Sequence, residues 1–197
     1  MLRQLATAAA LAIATAALPA QAANPEVELD TSAGVIKLEL FPQAAPKTVE
    51  NFLAYVKDGH YSGTQFHRVI AGFMIQGGGY DANFWQKPTR PPIAIESQES
   101  KKAGLSNVRG TIAMARTGDP NSATAQFFIN VADNSRLDFH SATPQGWGYT
   151  VFGKVIAGMD VVERIAHAKT GPAGPFRSDV PVDRVLITSA KLVTSPN

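Results

Sequence analysis

The sequence predicts a mainly β protein, an antiparallel barrel that is closed or nearly closed and has helices over its ends. Three observations support this fold class. Many short strand-like runs follow one another, their connections are rich in glycine and proline, and only two segments have helical spacing. After residue 22 there is no internal repeat, low-complexity segment or linker, so we expect a single domain.

The first 22 residues have the pattern of a secretory signal peptide. A short positive region with Arg3 precedes an alanine-rich apolar stretch, and Ala20-Gln21-Ala22 matches the small-x-small motif of a signal-peptidase site. The apolar stretch is too short to cross a bilayer as a helix. We therefore expect residues 1–22 to be removed and residues 23–197 to form a soluble domain without membrane insertion. The leader looks bacterial, so the periplasm is the expected destination.

The predicted mature domain is nearly neutral. Without Arg3, 17 basic residues stand against 16 acidic ones, a net charge of +1. Because the charges are so nearly balanced, there is no electrostatic reason to expect a nucleic acid or an anionic membrane as partner.

Familiar catalytic and metal-binding motifs are missing from the sequence. The absence of cysteine excludes thiol catalysis and thiolate metal sites. The four histidines lack metal-ligand spacing, and there is no HExxH, GxSxG, P-loop or dinucleotide motif. We therefore expect neither a metal nor a cofactor.

The fold is predicted to begin with two strands and a helix. Residues 27–31 and 35–41 are the strands, and in the second of them apolar residues alternate at the period of a half-buried strand. Pro46 suits the first turn of a helix, and apolar residues follow at i, i+3, i+4, i+7 spacing as far as Val56. Gly59 comes just after a charged last turn, where a helix commonly ends.

Shorter strands are predicted for the rest of the chain. They cover residues 65–70, 73–76, 93–96, 111–116, 126–131, 150–155 and 185–193. A second helix fits residues 161–167. Two long connections, residues 79–92 and 133–148, are rich in Asn, Asp, Pro, Gly and Ser and are predicted loops. Loops of this length are often functional, although plain surface loops remain the alternative.

One apolar segment, FHRVIAGFMIQGG, contains a single charged residue, Arg68. It places this guanidinium, the amide of Gln76 and the apolar side chains of Phe73 and Met74 around a tight turn between two strands. An apolar surface with one fixed cation at its rim suits an extended, neutral peptide better than a phosphate or a metal.

A second run contains two adjacent phenylalanines, Phe127 and Phe128. Adjacent residues in a strand point to opposite faces, so one ring can pack in the core while the other looks outward. An outward ring beside Phe73 and Met74 would be the wall of a site, whereas ordinary core packing accounts for most single phenylalanines. The spacing leaves the choice open.

Two further runs have the residue types of a functional motif without its context. Ser97-Gln98-Glu99-Ser100 contains a nucleophile and a carboxylate, but no histidine lies nearby in the sequence, so a solvated loop is predicted. Gly77-Gly78-Gly79 lacks the helix and lysine that follow a phosphate-binding loop, which favours a bulge or a strand end.

Four blocks of the chain carry a resemblance to a known family: FHRVIAGFMIQGG, GTIAMART, AQFFINV and GYTVFGKVIAGMDVVERI. In this order they resemble the cyclophilin family of peptidyl-prolyl cis–trans isomerases, from about residue 27 to residue 192. The resemblance implies a closed eight-stranded antiparallel β-barrel capped by two α-helices. It also implies isomerisation of X–Pro bonds and, as partners, proline-containing polypeptides, here exported proteins whose folding is assisted.

The resemblance also implies the residues of the site. The catalytic residues are Arg68 and Gln76. The substrate-binding residues are Phe73, Met74, Ala115, Arg116, Gln126, Phe128, Leu137 and Tyr149. In the twisted transition state the amide loses its resonance and the prolyl nitrogen gains an acceptor lone pair, which the Arg68 guanidinium would stabilise.

Two positions depart from the family's pattern. Tyr149 stands where many eukaryotic members have histidine, although bacterial members often have tyrosine there. Arg136 stands where the family has tryptophan or phenylalanine. Because that tryptophan supports cyclosporin binding, we expect cyclosporin to bind this chain weakly. Trp147 lies in the same loop and could lend an aromatic wall, but nothing in the sequence places it.

Two other functions fit parts of the pattern. The same groove could bind proline-containing chains with negligible turnover, as a chaperone module, although the set of Arg68, Phe73, Gln76 and Phe128 favours catalysis. A barrel that carries a small apolar ligand would need an interior cavity, whereas large apolar residues in nearly every strand predict a filled core. We expect a monomer, because the sequence contains no exposed apolar stripe.

Overall fold

The structure is a computed structural model that describes residues 23–193. The predicted signal peptide, residues 1–22, lies outside the described residues. The strands found in residues 23–193 are β1 (Glu26–Thr31), β2 (Gly34–Leu40), β3 (Thr64–Gln65), β4 (Arg68–Ile70), β5 (Met74–Gly77), β6 (Thr111–Met114), β7 (Phe127–Asn130), β8 (Val151–Ala157), β9 (Thr170–Ala173), β10 (Phe176–Pro181) and β11 (Leu186–Val193). The helices are α1 (Pro46–Lys57), α2 (Ser97–Lys102) and α3 (Met159–Ala166), and a 3-10 helix covers Ser135–Leu137.

The main sheet is a curled, open half-barrel. Within the described residues it has nine strands in the order β3-β11-β1-β2-β8-β6-β7-β5-β4, all paired antiparallel, while β9 and β10 form a separate hairpin. The prediction of a closed eight-stranded barrel is therefore wrong in both closure and strand number, although the mainly β, antiparallel class is confirmed.

The reason the sheet stays open lies in the segment that was predicted as one strand, residues 65–70. Its first part pairs with β11, Gln65 opposite Leu186, and its last part pairs with β5, Arg68 opposite Gln76. The chain thus crosses from one edge of the sheet to the other within two residues. This crossing brings the edge strands β3 and β4 near each other and curls the sheet. Because β3 and β4 belong to one continuous segment, they cannot pair with each other, and the sheet stays open.

The concave side of the sheet is filled with apolar side chains. The rings of Phe52, Tyr61, Phe127 and Phe152 lie in this core, with centroids 5.1–5.7 Å apart in four of their pairs. Tilted and edge-to-face contacts of this kind stabilise a core beyond the area they bury. The filled interior agrees with the prediction and argues against a barrel that carries a ligand inside.

Both predicted helices are present and pack on this core. Helix α1 begins at Pro46, as predicted, and the chain turns at Gly59, whose φ of 67° favours glycine. Helix α3 begins at Met159, two residues earlier than predicted. Gly158 precedes it with φ 82°, and a Cβ there would collide with the carbonyl oxygen of Val35. None of the helices in residues 23–193 is long and apolar enough to cross a membrane.

Two local predictions are wrong. Residues 97–100 form the start of α2 instead of a solvated loop, and Ser97 and Ser100 are both buried, with their hydroxyls donating to the carbonyl oxygens of Trp147 and Val151. These bonds reach about fifty residues along the chain, which no local pattern indicates. Residues 93–96 form only an isolated bridge, between Ile93 and Ala123.

Candidate active site

A cavity of about 140 Å³ opens on the face of the sheet opposite the main core. It is lined by Arg68, Phe73, Met74, Gln76, Ala115, Arg116, Phe128, Leu137 and Tyr149. The sequence analysis named all nine. The tenth residue it named, Gln126, accepts a hydrogen bond from the Gln76 amide at 2.9 Å and lines a second cavity alongside.

Strand register explains why residues far apart in the sequence meet here. Arg68 in β4 lies opposite Gln76 in β5, Gln76 lies opposite Phe128 in β7, and Phe128 lies opposite Ala113 in β6. Directly opposed residues share a face of the sheet, so these side chains form one row across four strands. Met74, two residues before Gln76, points to the same face.

The two adjacent phenylalanines are now assigned to their faces. Phe127 is fully buried in the main core, whereas Phe128 belongs to the small cluster behind the cavity, with Met74, Ala113 and Val151. The ring of Phe128 meets that of Tyr149 edge-on, with centroids 5.5 Å apart. Phe128 is therefore the ring that forms a wall of the cavity.

Three arginines surround this apolar floor. Arg68 lines the cavity half-buried. The Arg116 guanidinium lies 4.9 Å from the Tyr149 ring centroid and donates through Nε to the Gly148 carbonyl at 2.8 Å. The Arg136 guanidinium is exposed and lies 4.8 Å from the ring centroid of Phe73. Each of the latter two is held against an aromatic face, a favourable place for a cation.

The cavity is built for binding rather than for proton transfer. Over the described range, 23–193, its lining contains no histidine, carboxylate or hydroxyl nucleophile other than the Tyr149 phenol. His67 is next to Arg68 in sequence but is buried between the rings of Tyr80 and Phe176. This burial lowers the pKa of His67 to about 4, so the imidazole is neutral at pH 7.

The arrangement can hold an apolar ring and offer a charged donor beside it. Within residues 23–193, no group of three or more His, Asp or Glu side chains could hold a metal.

Comparison with known proteins decides the family. The model of the family described as cyclophilin type peptidyl-prolyl cis-trans isomerase/CLD matches residues 26–192. The chain belongs to the cyclophilin family. It is 59% identical to peptidyl-prolyl cis-trans isomerase cyp18 of Streptomyces antibioticus, over 85% of this chain and 98% of that protein. It is also 52% identical to peptidyl-prolyl cis-trans isomerase B of Escherichia coli (strain K12), over 83% of this chain and 96% of the relative.

Solved cyclophilin structures share the fold. A cyclophilin type peptidyl-prolyl cis-trans isomerase of Cryptosporidium parvum has a TM-score of 0.68 and 28% identity, covering 88% of this chain and 99% of that one. The same protein in the presence of the dipeptide Ala-Pro gives a TM-score of 0.67. The family match and relatives that are 50–59% identical show that the activity of this cyclophilin is peptidyl-prolyl cis–trans isomerisation, as the resemblance implied.

This cyclophilin also has a buried asparagine network that the sequence analysis missed. Asn134 donates from Nδ2 to the Phe73 carbonyl at 2.9 Å and to Asn130 Oδ1 at 2.8 Å. Asn107 donates from Nδ2 to the carbonyls of Leu137, at 3.1 Å, and Tyr149, at 3.4 Å. Asn130 joins the two by donating to Asn107 Oδ1 at 3.2 Å.

The network therefore holds three walls of the cavity by their backbone. It extends to Asp138, whose Oδ1 accepts from the Asn107 backbone at 2.7 Å and whose Oδ2 accepts from Lys101 at 2.8 Å. Burial alone would raise the pKa of Asp138, but the hydrogen bonds from Lys101 and Asn107 lower it below its usual value. The signal in the sequence was an asparagine, Asn130, at the end of an apolar strand.

Proposed function

We propose that the 140 Å³ cavity is the catalytic site and that Arg68 donates a hydrogen bond to the prolyl nitrogen in the twisted transition state. The supporting observation is the convergence on one cavity of a guanidinium and four apolar walls, Phe73, Met74, Phe128 and Leu137. These walls would grip the pyrrolidine ring of the substrate while the guanidinium faces the bond that rotates.

The chemistry needs only differential binding. Rotation about a peptide bond has a barrier of roughly 18–20 kcal/mol because the twisted state loses amide resonance. In that state the prolyl nitrogen becomes pyramidal and accepts a hydrogen bond, which it cannot do in the planar ground state. A fixed donor therefore stabilises the transition state far more than the substrate. Arginine suits this role because it stays charged and presents a rigid fork of donors.

Gln76 and the chain just beyond β6, at Ala115 and Arg116, would hold the peptide on either side of the bond. Gln76 is itself fixed by its hydrogen bond to Gln126. Ala115 and Arg116 follow the end of β6 directly, beside the cavity. Holding one side of the bond while the other rotates removes part of the entropic cost of reaching the transition state.

The test is isomerisation of a proline tetrapeptide, followed by NMR exchange, with wild type and Arg68→Ala. Loss of the donor to a developing acceptor should lower kcat/KM about 10²- to 10³-fold, while circular dichroism shows the same fold. A folded Arg68→Ala variant with near-normal kcat/KM would overturn the mechanism. A chaperone module with negligible turnover would instead show a wild type that binds the peptide without accelerating exchange.

We also propose that the protein acts as a monomer on exported proteins in the periplasm, after cleavage behind Ala22. The support for export and cleavage is the signal-peptide pattern of residues 1–22. Expression of the full chain in a bacterium, followed by fractionation and N-terminal sequencing, should recover a periplasmic protein that begins at Ala23. A cytoplasmic protein that keeps its leader would contradict the proposal.

A further inference from the structure

The charge of this nearly neutral protein is unevenly distributed around the groove. A cavity of about 390 Å³ and another of about 610 Å³ adjoin the 140 Å³ cavity, and the three share lining residues. Arg116 lines all three, Arg68 lines the first and Arg136 lines the largest. Among the residues that the structure describes, none of those in the three linings is an aspartate or a glutamate. We call this continuous surface the arginine groove.

Within residues 23–193, the three arginines of the groove are not neutralised by a carboxylate. Among residues 23–193, no carboxylate oxygen lies within 4.0 Å of the guanidinium of Arg68, Arg116 or Arg136. Arginines elsewhere on the surface do form such pairs, as Arg109 does with Glu163 and Arg164 with Asp160. Asp119 lies in the turn that carries the lining residues Thr117 and Ser122, but its carboxylate is not within 4.0 Å of the three guanidiniums.

Two of these guanidiniums are held in position by contacts that leave their charge unsatisfied. Arg116 rests on the Tyr149 ring and uses two donors on the carbonyl oxygens of Gly148 and Thr117. Arg136 rests on the Phe73 ring. A guanidinium has five N–H donors, so both side chains keep donors free for a ligand. A guanidinium with free donors is the group that best matches a carboxylate, which it can bind through two parallel hydrogen bonds.

We propose that the groove selects peptides that carry Asp or Glu within two residues of the proline, and that Arg116 and Arg136 bind this carboxylate. The inference rests on the proposed function, in which the proline occupies the 140 Å³ cavity. The 610 Å³ cavity adjoins that site through Arg116, Leu137 and Tyr149. Two residues of extended chain span about 7 Å, which is enough to pass from one cavity into the next.

The expected effect is on substrate binding more than on turnover. Arg116 and Arg136 would contact the carboxylate equally in the ground state and the transition state, so KM should fall while kcat stays similar. For partly exposed pairs we expect kcat/KM to rise roughly threefold to tenfold over a neutral peptide. Because the charges are accessible to solvent, the preference should shrink as salt shortens the Debye length from about 10 Å at 0.1 M to about 3 Å at 1 M.

The experiment compares tetra- and pentapeptides with a single Glu, Gln or Lys at each of the four positions within two residues of proline. Isomerisation is measured by NMR exchange, without a coupling protease. At one position or more, the order of kcat/KM should be Glu, then Gln, then Lys, with the difference mainly in KM. Equal values at all four positions would overturn the inference and leave the isomerase site intact. Absence of acceleration for every peptide would overturn the proposed function together with it.

Variants then assign the preference to these side chains. For each protein, kcat/KM for the Glu peptide is divided by kcat/KM for the matching Gln peptide, so a general loss of activity cancels in this ratio. Arg116→Gln and Arg136→Gln should each lower this ratio, and the double variant should bring it close to one. Arg136→Lys should keep part of it, because an ammonium keeps the charge but not the fork of donors. Lys57→Gln removes one exposed positive charge from α1, at a residue that lines none of the three cavities, and is the matched control. A double variant that keeps the full ratio would overturn the assignment.

Discussion

Arg136 is the residue that the sequence analysis singled out as a departure from the family's pattern, and its side chain lies against an aromatic wall of the site. Its guanidinium lies over Phe73, at 4.8 Å from the ring centroid, and so covers one wall of the site with a charge. Trp147, the other candidate for an aromatic wall, packs against Phe139 instead, at 5.4 Å between ring centroids, and is not among the residues that line the cavity. The rim of the pocket beside Phe73 is therefore cationic.

We expect Arg136→Trp to increase the affinity for cyclosporin at least tenfold. An apolar cyclic peptide must leave the Arg136 guanidinium partly desolvated in the bound state, whereas an indole ring would be buried favourably. Isothermal titration calorimetry with wild type and Arg136→Trp measures the difference, and Arg136→Gln separates loss of charge from gain of the ring. Equal affinities for all three proteins would contradict this role of Arg136.

Helix α1 shows how an element can depend on a distant residue. Its first turn contains no acidic residue, and its N-cap residue, Ala45, has no side chain able to cap. Glu96 is buried and fills this role from elsewhere in the chain. Its Oε1 accepts from the Lys47 backbone at 3.0 Å and its Oε2 from the Thr48 backbone at 2.8 Å. A carboxylate at this end also interacts favourably with the helix dipole.

We expect Glu96→Gln to lower the free energy of unfolding by about 1.5–3 kcal/mol. The glutamine amide keeps the shape but loses the charge, and its NH₂ group faces a backbone donor that Oε2 now accepts from. Chemical denaturation at pH 7 measures the loss. Glu50→Gln removes an exposed carboxylate from the same helix and should change stability by less than about 0.5 kcal/mol. Equal effects of the two substitutions would show that Glu96 does not cap α1.

The asparagine network gives a second prediction about elements, because it joins β7 to the loops that carry Phe73, Leu137 and Tyr149. Asn134→Ala removes one of the two donors to the Phe73 carbonyl and leaves only the Val131 backbone N–H, at 3.1 Å, so this wall of the cavity should shift. We expect kcat/KM for a neutral proline peptide to fall about tenfold or more, since small misplacements at a site are costly.

The control for Asn134→Ala is Asn83→Ala, an asparagine on an exposed loop. Activity is measured at a temperature where denaturation curves show both variants fully folded. If Asn134→Ala is less stable yet retains normal kcat/KM, the network supports the fold only and does not position the wall.

The stability of the whole molecule should depend on pH through a buried histidine. The folded state holds the pKa of His67 at about 4, whereas an unfolded chain has a histidine pKa near 6.5. The unfolded state therefore binds more protons between these values, so the stability due to neutral His67 is full above about pH 6.5 and is lost as pH falls toward 4. The total loss in the free energy of unfolding is about 3 kcal/mol.

Denaturation curves between pH 7 and pH 4 for wild type and His67→Phe test this expectation. The pKa of His60 is also lowered by burial. The difference in unfolding free energy between wild type and His67→Phe therefore isolates the pH dependence that is due to His67. The phenylalanine ring can keep the stacking against Phe176 but cannot bind a proton. A variant with the same loss of stability over this range as wild type would exclude His67 as its source.

Elements with a local cause were predictable. Helix α1 has Pro46 at its first residue, regular apolar spacing and Gly59 beyond its end, and its structure follows the prediction. The start of α2 was not predictable, because polar residues there are held by hydrogen bonds to β8 and the segment before it. The hairpin of β9 and β10 also lacked a local signal, since its sequence is polar and rich in glycine and proline.

The candidate site also has features that the sequence predicted and features that it did not. The identity of its side chains followed from motifs, since a strand pattern and four blocks in family order are properties of the chain read from end to end. The open form of the sheet, the face chosen by Phe128, the asparagines behind the walls and the lack of carboxylate partners for the groove arginines within residues 23–193 followed only from the fold. Each of these depends on which groups meet across long stretches of sequence, and register and hydrogen bonding over such distances are settled by packing of the whole chain.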